Sequence, residues 1–326
     1  MKHDIRLSDT APIFARIRQN PNQRVPKGIL LNCLVFSAYL LVDGAGQEIG
    51  LLLFSLILSA ISPGDTVKSF FENEPMREIL LMLYLTVVSI LLNFAYCCGV
   101  EKRPARTLGI TKRRALPDYL LGFLLGTGMM TAVMLLIQAG GGASFRGVSE
   151  SVPAGYMVLF LFAWVIQGFS EELAFRGYLM MSVGTHTEPG TGIAVSSVLF
   201  AAAHLGNDGV SLFAFCNLAL FGLLTALLFL RTDSIWCTAA MHSFWNMAQS
   251  NLFGMKVSGI EISASFLRYD TASGHTWLNG GRFGPEGGAA TTAVLAIAIL
   301  LVYLLPQRTV HLPASAPAEA NQKGVS

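Results

Sequence analysis

The chain has 326 residues, 53% of them hydrophobic and 13% charged, with a formal net charge of +2. Soluble chains carry about 25% charged residues, so this composition, with several apolar runs of about 20 residues, excludes a soluble enzyme and indicates an all-α, polytopic membrane protein. No basic patch interleaved with aromatics points to nucleic acid, and the five cysteines, odd in number and without metal-type spacing, read as small apolar side chains.

Residues 1–27 form a cytoplasmic basic segment in which Arg16, Arg18, Arg24 and Lys27 accompany Ile13, Phe14 and Ile17. It reads as a basic tail or as a short interfacial helix. A polar stretch ahead of the first apolar run is unlike a secretory signal peptide. Residues 28–61 are apolar except at Asp43–Glu48, where Asp-Gly-Ala-Gly-Gln-Glu reads as a helix break, leaving one interrupted helix or two short ones. The next span, 79–98, is followed by a loop holding Lys102, Arg103, Arg106, Lys112, Arg113 and Arg114. The positive-inside rule puts that loop and the N-terminus in the cytoplasm, so 28–61 makes one net crossing. Further spans at 116–139, 156–181, 192–204, 212–230, 235–253 and 289–305 bring the total to about eight transmembrane helices. They form a single helical bundle over 28–305, with both termini cytoplasmic. The connectors 140–153 and 254–288 then lie outside. The second is long for a connector and is Gly-rich, with Arg268, Asp270, Arg282 and Glu286. Residues 306–326, rich in Ala and Pro, read as a disordered tail.

Three of these spans carry polar residues that are costly in lipid. A charge at the centre of a membrane helix costs about 2.5–3.5 kcal/mol on insertion scales and normally marks function. Glu171, Glu172 and Arg176 lie within the fourth span; His204 ends the fifth; His242 and Asn246 share the seventh. Residues four apart occupy one helix face, so Glu172 and Arg176 neutralise one another while Glu171, with Phe175 at that spacing, has no cation. An unpaired buried carboxylate suits a proton acceptor. Helix rise places Glu171, His204 and His242 roughly 10–18 Å from the cytoplasmic face, at overlapping depths. Singly, each group has a structural reading: an ion pair holding helices together, or a His or Asn bonding between helices. Jointly, two carboxylates, two imidazoles and a carboxamide supply a base, a water-orienting group and oxyanion donors. Two rivals belong to other classes: a proton-coupled transporter using the buried Glu and His, disfavoured by the absence of a repeat, and a non-catalytic membrane scaffold.

The segments Glu-Glu-Leu-Ala-Phe-Arg at 171–176, Leu-Phe-Ala-Ala-Ala-His at 199–204 and His-Ser-Phe-Trp-Asn at 242–246 resemble the EExxxR, FxxxH and HxxxN motifs of one family. These are the CAAX-protease and bacteriocin-processing (CPBP, or Abi) intramembrane endopeptidases. The similarity covers 117–253, and Arg-Pro-Ala-Arg-Thr-Leu-Gly-Ile at 103–110 resembles a loop before an earlier family helix. The resemblance implies that Glu171 activates water with His204. It implies that Glu172 and Arg176 support the site by pairing, and that His242 and Asn246 hold the oxyanion. It implies a membrane-anchored protein or peptide as substrate, and a bacterial cytoplasmic membrane as location. A metal-free, glutamate-dependent mechanism is favoured over zinc. Were zinc bound, Glu171, His204 and His242 would be its ligands and Glu172 the base, but Glu172 is committed to Arg176.

Overall fold

The computed structural model describes residues 12–20, 22–62, 70–71, 75–150 and 154–305. The helices are α1 (Pro12–Arg18), α2 (Ile29–Ile61), α3 (Pro75–Leu85), α4 (Val87–Phe94), α5 (Ala115–Ala139), α6 (Ala154–Glu172), α7 (Met181–His186), α8 (Pro189–Ala202), α9 (Leu212–Thr232), α10 (Ile235–Met247) and α11 (Ala289–Leu304). Three π-helical segments extend them: Ala95–Val100 after α4, Leu173–Met180 joining α6 to α7, and Ala248–Leu252 after α10. The chain is an all-α membrane bundle. Among the described residues, five helical stretches are long and apolar enough to cross a bilayer: Ile29–Ile61, Met76–Val100, Ala115–Ala139, Ala154–His186 and Leu212–Thr232. Helices Pro189–Ala202 and Ala289–Leu304 are shorter, so the expected count of eight crossings is not confirmed.

Close approach of α10 to its neighbours organises the centre. Gly122 and Gly126 of α5 lie against its backbone, and a Cβ at Gly126 would sit 2.8 Å from the Trp245 amide nitrogen. From the other side, a Cβ at Gly168 of α6 would sit 2.8 Å from the Ser243 amide nitrogen. In lipid, where the hydrophobic effect does not drive helices together, small residues that admit such contact are the usual means of association.

Several expectations are corrected. The Asp43–Glu48 stretch does not break α2, which runs without interruption from Ile29 to Ile61. Asp43 accepts hydrogen bonds from the Ser89 hydroxyl at 2.7 Å and from Gln47 at 3.1 Å, so its polarity is met across a helix contact. Residues 12–18 are neither a free tail nor a lipid-facing helix: Ile13, Phe14 and Ile17 are buried, Phe14 fits against Gly184, and Arg16 pairs with Asp233. His186 ends helix α7. Within the connectors, β1 (Ala143–Val148) pairs antiparallel with β2 (Leu267–Thr271), an element the sequence reading lacked. The expected disordered tail, 306–326, lies outside the described residues.

The connectors gather at two ends. At one, Arg24 N donates to Glu101 O (2.7 Å), Asn20 Nδ2 to Lys102 O (2.9 Å), Arg18 Nε to Thr185 O (3.1 Å) and Trp236 Nε1 to Thr111 O (2.8 Å). Arg103, fully buried there, meets Glu101 (3.0 Å), the Ser182 hydroxyl (2.9 Å) and Gly177 O (2.8 Å). At the other end the two strands pair, Asn279 Nδ2 donates to Gly142 O (2.7 Å), Asn207 Nδ2 donates to Ser258 O (3.0 Å), and Arg282 pairs with Asp208.

Candidate active site

All three polar segments reach one cavity of about 240 Å³ lined by Glu171, His204, His242 and Asn246, with Gln167 and Glu286. Its walls are apolar: Trp164, Phe200, Phe221, Leu83, Val257 and Ile260. The last turn of α6 brings Glu171 and Glu172, and the chain then widens into the π-helical segment Leu173–Met180. Such π-turns inside helices are frequent at functional sites.

The two acids divide as their spacing suggested. Glu172 and Arg176 are fully buried, with Arg176 Nη1 3.3 Å from Glu172 Oε1. The guanidinium lies over the Phe200 ring at 4.6 Å, a cation–π contact that helps hold a charge away from water. Gly222 leaves it room, because a Cβ there would come within 3.2 Å of Arg176 Nη2. Glu171 is 27% exposed and faces the cavity. It has a neighbour that charge reasoning missed: Gln167 Nε2 donates to Glu171 Oε1 at 2.6 Å.

His242 stands between the acids. Its Nδ1 lies 3.0 Å from Glu172 Oε1, and its Nε2 lies 3.6 Å from Glu171 Oε2. Phe221 and Phe200 wall the ring edge-on at 5.1 and 5.9 Å. A bond at Nδ1 fixes ring orientation and tautomer and leaves Nε2 for the cavity. Asn246, one turn along α10, donates through Nδ2 to Gln167 Oε1 at 3.1 Å. His204 lies just past the end of α8, with Nδ1 2.8 Å from Phe200 O, which leaves its Nε2 for the cavity.

Glu286 of the Gly-rich connector is the second residue that sequence reasoning left without a role. It is buried at the cavity rim, where Oε2 accepts from Ser258 N (2.7 Å) and the Ser258 hydroxyl (2.8 Å), and Oε1 from Trp245 Nε1 (3.2 Å). The connector is thus bonded to α10 over the site. The sharp turn that returns it uses Gly284 at φ +98°, a left-handed backbone that glycine adopts without strain.

Glu171, His204 and His242 share the cavity, yet among the described residues no three His, Cys, Asp or Glu side chains are grouped to hold one ion. Both ring nitrogens of His242 already face carboxylates.

Residues 153–248 match the family model described as type II CAAX prenyl endopeptidase, Rce1-like. This segment is a CAAX-protease core of the CPBP family. It runs from α6 to the turn after α10, so every residue of the three motifs lies in it, whereas Glu286, Ser258 and the buried Arg103 lie outside. No curated protein matches the chain. With the apolar helices, this match supports an integral membrane protein and, in general terms, a CAAX-type membrane endopeptidase.

Proposed function

We propose that the chain is an intramembrane endopeptidase of the CPBP type, acting on a membrane-anchored protein or peptide by a metal-free mechanism. The observation that carries this reading is the convergence of Glu171, His204, His242 and Asn246 on one cavity, with Glu171 Oε2 3.6 Å from His242 Nε2. Glu171, half-open and held by Gln167, takes a proton from a water that His204 Nε2 orients. The resulting hydroxide attacks the scissile carbonyl carbon. The carbonyl oxygen becomes an oxyanion that accepts from His242 Nε2–H and from the second Asn246 Nδ2 hydrogen. Protonated Glu171 then gives its proton to the leaving amine as the C–N bond breaks, and the carboxylate is restored.

Charge balance supports these roles. Two carboxylates, Arg176 and a His242 bearing both ring protons sum to zero, and that His242 keeps a donor at Nε2. Glu172 holds the imidazole through Nδ1, and Arg176 holds Glu172. Both therefore act as positioning residues. The described segments suit a bacterial cytoplasmic membrane with both termini inside, since the basic residues gather at one end of the bundle.

The test is cleavage in cells expressing the wild-type protein or Glu171→Gln, read as membrane-protein precursors that accumulate uncut in the variant. Equal processing by both proteins, each present in the membrane at equal level, overturns the assignment. Elemental analysis of purified protein tests the metal-free reading, which one tightly held zinc per chain would end.

A further inference from the structure

The family to which the core belongs is named for prenylated CAAX tails, yet the cavity here leans toward the other side of the membrane. The end of the bundle built from α1, residues 101–114 and the α9–α10 turn carries Arg16, Arg18, Lys102, Arg106, Lys112 and Arg113. The opposite end has Arg146, Lys256 and Arg282, each facing a carboxylate (Asp270, Glu261 and Asp208), with Arg77 and Arg268 besides. By the positive-inside rule the first end is cytoplasmic. The bonds that tie the segments of each end together rest on contacts, independently of that rule.

Against this frame the cavity's lining is one-sided. Ala203, Asn207, Val257, Ser258, Ile260 and Glu286 all come from the extracytoplasmic end, and none of its lining residues comes from α1, 101–114 or the α9–α10 turn. Glu171 lies near the middle of its helix, which runs from Ala154 to His186, and it is set deeper than the sequence alone indicated because α7 extends the helix past 181. Phe14 on Gly184 and the buried Arg103 beneath Gly177 close the bundle on the cytoplasmic side.

We propose, resting on the endopeptidase reading, that the cavity is entered from the extracytoplasmic half of the bilayer. Its substrate is a membrane-anchored polypeptide cut on the extracytoplasmic side of its anchor, through a stretch of apolar residues. The apolar preference follows from Leu83, Trp164, Leu218, Val257 and Ile260 around the site. Arg176 is fully buried behind Glu172 and is not offered to an acidic side chain.

Two measurements test this. Ala203→Cys and Ile260→Cys, at the rim, are treated with a membrane-impermeant maleimide in intact spheroplasts, beside Arg113→Cys and the wild-type background. The rim cysteines should label in intact spheroplasts as fully as after lysis, and Arg113→Cys only after lysis. Rim cysteines that label only after lysis, or not at all, overturn the extracytoplasmic entrance. In parallel, new protein termini in membranes from wild-type and Glu171→Gln cells are mapped onto substrate topology. Glu171-dependent termini on the extracytoplasmic side of single anchors are expected; termini confined to cytoplasmic, lipidated tails overturn the substrate class. Outside labelling with no Glu171-dependent termini removes the endopeptidase reading, and the substrate with it, while the entrance stands.

Discussion

Gln167 joins the candidate base to the candidate oxyanion amide: its Nε2 donates to Glu171 Oε1 at 2.6 Å and its Oε1 accepts from Asn246 Nδ2 at 3.1 Å. Only one orientation of the Gln167 amide meets both neighbours, because a flip would set oxygen against carboxylate and NH₂ against NH₂. Asn246 is thereby held with its amide nitrogen toward the site. Gln167→Met keeps the length of the side chain and removes both bonds. Hydrogen bonds to charged groups contribute about 1.5–3 kcal/mol, so kcat should fall roughly 10- to 100-fold with KM little changed. A raised KM with unaltered kcat on a reporter peptide would show that Gln167 binds substrate and does not position Glu171.

Asn246→Ala removes one of the two proposed oxyanion donors and leaves the helix intact. Loss of a single such donor typically costs about 10²–10³ in kcat. Because Gln167 acts in part through Asn246, the double variant should lose less than the product of the single losses, as expected for groups in one hydrogen-bonded network. Purely multiplicative losses would separate the two residues.

Much of this arrangement could be read from residue spacing, and the exceptions share a cause. Glu172 and Arg176 declared themselves by local spacing, and costly polar groups in the fourth, fifth and seventh apolar spans marked one site. Asp43 misled because its partner Ser89 lies on a different helix, so a residue that looked like a break is a bonded group inside a continuous helix. Gln167 escaped notice because an amide carries no charge to make its depth conspicuous. Glu286 reaches the site only through a glycine-built return of the chain, and β1 and β2 pair residues far apart in sequence, Ala143 with Thr271 among them. The docking of α1 depends on Gly184 making space for Phe14, a fit between distant segments that no periodicity encodes.

Packing around α10 gives a prediction with an internal control. A Cβ at Gly126 would lie 2.8 Å from the Trp245 amide nitrogen and would also meet the Met241 carbonyl oxygen, both backbone atoms of a helix that cannot step aside. Two residues further along the same helix, a Cβ at Gly128 would meet nothing within 4 Å. Overpacking of this kind costs about 1–3 kcal/mol. Gly126→Ala should therefore lower the unfolding midpoint in detergent and reduce cleavage, whereas Gly128→Ala should leave both unchanged. Equal midpoints would mean that α5 and α10 are not held at this distance.

The buried pair at the end of the bundle built from α1 and residues 101–114 makes stability depend on pH. Glu101 and Arg103 are fully buried and 3.0 Å apart. Burial pushes the Glu101 carboxyl above its ordinary value, and Arg103 and the Ser182 hydroxyl offset only part of that rise. A carboxyl that keeps its proton to higher pH in the folded chain than in the unfolded one favours folding fully below about 4.5 and loses that favour as pH climbs through the raised value. The unfolding midpoint should thus decline from pH 4.5 toward neutrality, and Glu101→Gln should flatten the decline. Arg103→Leu removes the compensating cation and strands the carboxylate. Breaking a buried pair from one side costs about 3–5 kcal/mol, so this variant should be destabilised most at neutral pH and least in acid. A wild-type midpoint that rises over the same interval while the Glu101→Gln midpoint stays level would show that the ion pair, not burial, governs this carboxyl.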